Sequence, residues 1–185
     1  MRVLVTASSK HGATGGIAEE IGRVIGERGL DVRVLPIEDV TEVAGFDAFI
    51  VGSAVYAGRW MGEARRFADR HAAELAAHPT WLFSSGPVGD PPKPEAASAV
   101  KLDDVIAQTG AREHRLFAGR LDRTQLGLGE RTIVRMVGAP DGDYRDWKGV
   151  AAWAAEIADS LQSCNERLTA AGAKPGLRTG PPADA

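Results

Sequence analysis

The sequence predicts an α/β protein: a doubly wound, five-stranded parallel sheet in the order 2-1-3-4-5, with helices on both faces. Three observations lead there. Short β-branched runs alternate with longer stretches of helical periodicity, the pattern of strands joined by crossover helices. The strand segments are mostly apolar, which implies a sheet covered on both faces. Five strands joined by right-handed crossovers leave few topologies, of which this order is a common one.

Each element has its own signal. Val3, Leu4, Val5 and Thr6 form the first strand, ended by the loop that begins at Ser8. Ile17, Ile21, Val24 and Ile25 recur at helical spacing, with Gly29 as the stop. Val32, Val34 and Leu35 make the second strand, closed by Pro36; residues 46–51 make the third, with Gly52 at its end. Ala64, Phe67, Ala68, His71 and Leu75 mark one helix face, and Trp81, Leu82 and Phe83 the fourth strand. Residues 95–108 read as helix and 113–118 as the fifth strand. Val150, Trp153, Ile157 and Leu161 then stripe a last helix with Asp146 as its N-cap. Residues 1–164 are expected as one domain, and 165–185, without a periodic apolar face, as a disordered tail.

Composition narrows the function. The chain has 185 residues, 44% hydrophobic and 25% charged, ordinary values for a globular domain with a sizeable core. Twenty-two Lys and Arg against 25 Asp and Glu leave −3, which argues against a nucleic-acid partner. The single cysteine, Cys164, excludes an intramolecular disulfide framework. Four histidines without ligand spacing give no metal site. The first residues lack a signal-peptide pattern, and no apolar run reaches the ~20 residues of a membrane span. A cytoplasmic protein is expected.

In such sheets ligands bind beyond the carboxyl ends of the strands, which directs attention to four loops. The first joins strand one to a helix N-terminus. Ser9, His11, Gly12, Ala13 and Thr14 offer hydroxyls, an imidazole and free backbone N–H groups to a phosphate. A Ser/Thr helix cap in a glycine-rich turn explains the same residues equally well. Neither a Walker A loop nor G-x-G-x-x-G is present. The second loop, Gly52 to Trp60, brackets Tyr56 and Trp60 with glycines. Either aromatic could cover a planar ring, and Arg59 could complement an anion; alternatively Trp60 packs under the next helix. The third, from Ser84 through Ser85 and Gly86, offers polar partners to a ring edge before the stiff Pro91-Pro92-Lys93-Pro94 connector. The fourth spans residues 119–145. Residues 130–137 there could form a short helix with Arg131 and Arg135 beside Ile133 and Val134, suited to a membrane surface, an acidic partner or a packed lid. No general acid, base or nucleophile is legible, so the catalytic residues are left unassigned.

Together these loops resemble the flavodoxin-like fold, and more closely the menaquinone-dependent protoporphyrinogen dehydrogenases within it. The resemblance spans residues 1 to about 162. It rests on residues 8–14, Val51-Gly52-Ser53 with Gly58, Phe83-Ser84 followed by Lys93-Pro94-Glu95, Phe117-Ala118-Gly119-Arg120-Leu121, and Asp146-Trp147 leading into residues 150–158. The chain departs from those dehydrogenases in carrying Ala57 where they tend to have Tyr, and in a shorter, less hydrophobic segment before the last helix. The resemblance implies an FMN whose phosphate sits on Ser9, His11, Gly12, Ala13 and Thr14. Its isoalloxazine would lie between Val55, Tyr56, Ala57, Gly58 and Trp60 on one side and Ser84, Ser85, Gly86, Pro87 and Val88 on the other. It further implies an FMN-dependent oxidoreductase with a small-molecule redox substrate or quinone, and peripheral membrane contact through residues 120–138. The alternatives are an electron carrier that serves a redox partner protein, and a flavin-free binding module.

Overall fold

Val3, Leu4 and Val5 are all wholly buried, and consecutive burial requires a strand with neighbours on both edges and cover on both faces. The computed structural model, which describes residues 1–86, 100–121 and 142–172, provides both. In chain order its elements are β1 (Arg2–Ser8), α1 (Ala13–Glu27), β2 (Asp31–Pro36), a 3₁₀ turn (Ile37–Asp39), β3 (Ala48–Tyr56), β4 (Arg59–Trp60), α2 (Gly62–Arg70) and α3 (Ala72–Ala77). There follow β5 (Thr80–Gly86), α4 (Asp103–Thr109), β6 (Glu113–Ala118), β7 (Arg120–Leu121), β8 (Gly142–Asp143) and α5 (Trp147–Gly172). The parallel sheet runs β2-β1-β3-β5-β6, which is the expected order over the five long strands.

Two cores sandwich this sheet. On one face α1 and α5 cover Val3, Val5 and Ile50 with Ile17, Ile21, Trp153 and Ile157. The rings of Phe83, Phe117 and Trp153 meet there edge to face, with centroids 5.5–6.4 Å apart. On the other face Leu4, Phe49 and Leu82 pack under Phe67 of α2, Leu75 of α3 and Val105 of α4.

Several expectations change in detail. The third strand runs past Gly52 to Tyr56, because residues 53 and 54 keep pairing with β5 and residues 55 and 56 fold back on β4. Gly52 is a packing residue: a Cβ there would lie 2.1 Å from Phe83 Cζ. The expected single helix over Ala64–Leu75 breaks at His71 (φ −109°, ψ 16°). The Leu75 N–H still reaches the His71 carbonyl across the break, which keeps Phe67, Ala68 and Leu75 on one face. Of the helix expected over 95–108, residues 95–99 lie outside the described residues, residues 100–102 are not helical, with the Lys101 N–H committed to the Gly58 carbonyl (2.8 Å), and Asp103–Thr109 is helix. Gly29 (φ +83°) stops α1 as expected. Asp146 caps α5, its Oδ1 accepting the Gly149 N–H at 3.0 Å. Residues 165–172, expected as tail, continue α5, and residues 173–185 lie outside the described residues. Strands β7 and β8, antiparallel and two residues each, had no readable signal. The short helix expected at 130–137 and the expected membrane contact at 120–138 fall almost entirely outside the described residues.

Candidate functional site

The carboxyl ends of β1, β3 and β5 form one rim, with Ser8, Ser53 and Ser84 side by side in register. All three are buried and engaged. The Ser8 hydroxyl contacts Met61 Sδ (3.5 Å). Ser53 Oγ accepts the Met61 N–H (3.0 Å) and donates to the Ala54 carbonyl (2.8 Å). Ser84 Oγ accepts the Trp60 indole N–H (2.8 Å) and lies 2.8 Å from His114 Nε2. The three rim hydroxyls are therefore engaged, so groups available to a ligand have to come from the loops above them.

Gly12 begins α1 in the left-handed region (φ +75°), a conformation that costs glycine little. No side chain caps this helix and its first turn holds no acidic residue. The first intrahelical bond runs from Gly16 N–H to the Gly12 carbonyl (3.0 Å), which leaves the N–H groups before it directed outward with the positive end of the dipole. Ser9 Oγ is buried beside this turn without a hydrogen-bond partner, 3.8 Å from where a Gly15 Cβ would stand. An orphaned buried hydroxyl at an uncapped helix start is the donor set an oxyanion needs. Thr14 is buried in the same turn. The cap explanation of these residues is thus not what the structure shows at Gly12.

Across the rim, β3 and β4 form a two-residue hairpin. Ala57 (φ +49°) and Gly58 (φ +73°) both occupy the left-handed region, as a type I′ turn demands. The turn presents Tyr56, 39% exposed, and Lys10 Nζ from the first loop stands 5.7 Å from its ring centroid. Trp60 is different. At 3% exposure, with its indole N–H on Ser84, it belongs to the core, which matches the packing alternative and leaves Tyr56 as the exposed aromatic of the pair. Ser84, expected at the ring edge, has its hydroxyl committed below; Ser85 and Gly86 occupy the tip, where the Gly119 N–H donates to the Gly86 carbonyl (2.9 Å). Pro87 and Val88 lie outside the described residues.

Two residues were not singled out from sequence. Arg145 reaches α1 from beyond β8: its Nη1 is 3.4 Å from the Ala13 carbonyl and its guanidinium lies 4.3 Å over the Trp147 ring. Its paired bonds to Asp143 (2.6 and 2.8 Å) hold that carboxyl below the usual carboxylate range. A Cβ at Gly16 would come within 2.7 Å of Arg145 Nη1, which is a readable reason for that glycine only once the fold is known. His114 sits behind the rim on β6; burial pushes its pKa down, with Glu113 opposing. Among the described residues no group of three His, Cys, Asp or Glu could hold a metal, and no helix is long and apolar enough to cross a membrane.

A family model described as flavodoxin domain matches residues 4–148. The protoporphyrinogen IX dehydrogenase [quinone] of Escherichia coli K12 is 23% identical over 172 residues, covering 85% of this chain and 95% of its own. Among solved structures, a flavodoxin from the domain Archaea superposes with a TM-score of 0.61 at 19% identity, over 88% of this chain and 99% of that one. Oxidised flavodoxin 1 from Bacillus cereus gives 0.58 at 17% identity, over 86% and 98%.

Proposed function

The chain belongs to the flavodoxin-domain family, and from that premise we propose that it is an FMN-dependent oxidoreductase that passes electrons from a small-molecule substrate to a quinone. The observation that carries the reading is the orphaned Ser9 hydroxyl at the uncapped, acid-free start of α1. That donor set suits a terminal phosphate. Ser9, His11 and Thr14 would hold it by side chain, Gly12 and Ala13 by backbone, and the helix dipole would favour its charge.

The ring would rest against the hairpin of Val55, Tyr56, Ala57 and Gly58 on one side and the β5 tip at Ser85 and Gly86 on the other. Bound FMN would supply the redox chemistry, taking up and releasing electrons at its ring. The residues of this chain bind and orient it. Tyr56 offers an aromatic face, the αL pair at Ala57–Gly58 turns backbone toward the site, and the buried serine floor keeps water from beneath. The quinone acceptor is carried over from the E. coli relative named as a quinone-linked dehydrogenase.

The test has two stages. Purified protein titrated with FMN should quench flavin fluorescence to a stoichiometric end point, and a chain that binds no FMN would end the proposal. The FMN-loaded protein, chemically reduced, is then mixed with a menaquinone analogue in stopped flow. Saturable reoxidation identifies an enzyme. Reoxidation only through a partner protein, with a strong salt dependence, identifies an electron carrier instead.

A further inference from the structure

The hydrogen-bond chain behind the rim links three strands that are far apart in sequence: Trp60 on β4, Ser84 on β5 and His114 on β6. Its direction at Trp60 follows from the atoms. An indole N–H can only donate, so Ser84 Oγ accepts from Trp60, and the one Ser84 proton is free to point at His114. The 2.8 Å distance is met either by Ser84 donating to His114 Nε2 or by an Nε2–H donating to Ser84 Oγ; we take the first, with the imidazole proton on Nδ1 and the ring neutral. Burial of His114 acts in the same direction, since the charged form is disfavoured there.

We propose that His114 is a positioning residue for the ring side of the site: through Ser84 it fixes Trp60, and through Trp60 the hairpin that presents Tyr56. The link from Trp60 to the hairpin is direct. Trp60 pairs with Val55 and Arg59 with Tyr56, and the turn between them is two residues. Trp60 is the buried anchor of a short arm whose Tyr56 is exposed, and β4 has only two residues with which to hold it. Losing the acceptor at His114 leaves the Ser84 proton without that partner and loosens the Trp60 contact, so the arm is then held by backbone bonds and the apolar packing of Trp60. His114 itself touches no part of the proposed ligand.

This inference rests on the FMN reading, and the experiment separates the two. Full-length wild type, His114→Gln, His114→Leu and Ser84→Ala are each titrated with FMN and with riboflavin. A glutamine amide oxygen can accept from Ser84; leucine cannot. His114→Leu, which removes one hydrogen bond on the ring side, should weaken both ligands by a common factor of about tenfold, and Ser84→Ala, which removes two, by at least as much, with none lost at the phosphate. His114→Gln should recover most of that loss. In wild type, nitrogen NMR of the His114 ring should show the neutral Nδ1–H form, and exchange of the Trp60 indole proton should accelerate in Ser84→Ala.

Unchanged affinity for both ligands in Ser84→Ala overturns the inference, as does a loss confined to FMN. A His114 ring protonated on Nε2 in wild type also overturns it, with no variant required. Failure of wild type to bind either flavin overturns the FMN reading itself, whatever the His114 proton shows.

Discussion

At the residue scale the site is built from two unfavourable choices. Ser9 leaves a buried hydroxyl without a partner, and a buried orphan costs about 1–3 kcal/mol. Ser9→Ala should therefore leave apo stability unchanged or raised while weakening FMN about tenfold or more and sparing riboflavin, which lacks the phosphate. Paired melting curves and titrations read both effects. Ala57 is the second. An L-residue in the left-handed region is disfavoured by roughly 1–2 kcal/mol, and Asn suffers least of the non-glycine residues. Ala57→Asn should stabilise the apo protein by about 0.5–1 kcal/mol in urea melts. The candidate phosphate loop could be proposed from the sequence because its residues are contiguous. The misplacement of Trp60 and Ser84 had a physical cause: both readings assumed loop residues, and the pairing that buries them joins β4, β5 and β6, which lie 24 to 30 residues apart.

At the element scale, strands and helices with a clean apolar period were readable, and those held by long-range contacts were not. β6 fell where the sequence placed it, over residues 113–118, and α1 buries Ile17, Ile21, Val24 and Ile25 as its spacing requires. β4, β7 and β8 have two residues each, too few to carry a period; β4 exists because the longer β3 pairs with it, and β7 and β8 because they pair with each other. Gly52 reads as a strand terminator in isolation and is instead the gap that admits the Phe83 ring. Gly52→Ala should cost about 1–3 kcal/mol by overpacking, seen as a lower urea midpoint with unchanged slope. Asp146→Ala, which removes the cap of α5, should cost about 1 kcal/mol and lower the melting temperature by about 2–4 °C.

For the whole molecule, two apolar faces on one sheet make stability a shared property, and its pH dependence follows from two histidines. Burial lowers the pKa of His114, opposed by Glu113, and burial followed by Arg70 lowers that of His71, opposed by Glu74. Both are harder to protonate folded than unfolded. As pH falls below the ordinary value of 6.5 the unfolded chain therefore binds protons first, and stability declines. Melting temperatures measured between about pH 7.5 and pH 5 should fall, and His114→Gln should flatten part of that slope. A different consequence follows from the way α5 closes the first core. Val3, Val5 and Ile17 belong to the same apolar cluster as Val150, Trp153 and Ile157. During synthesis β1, α1, β2 and β3 emerge and can pair well before α5 is made. At synthesis rates of about 5–20 residues per second, that half-built sheet waits several seconds with one greasy side uncovered. A nascent chain in that state exposes apolar surface of the kind chaperones bind, until α5 covers it.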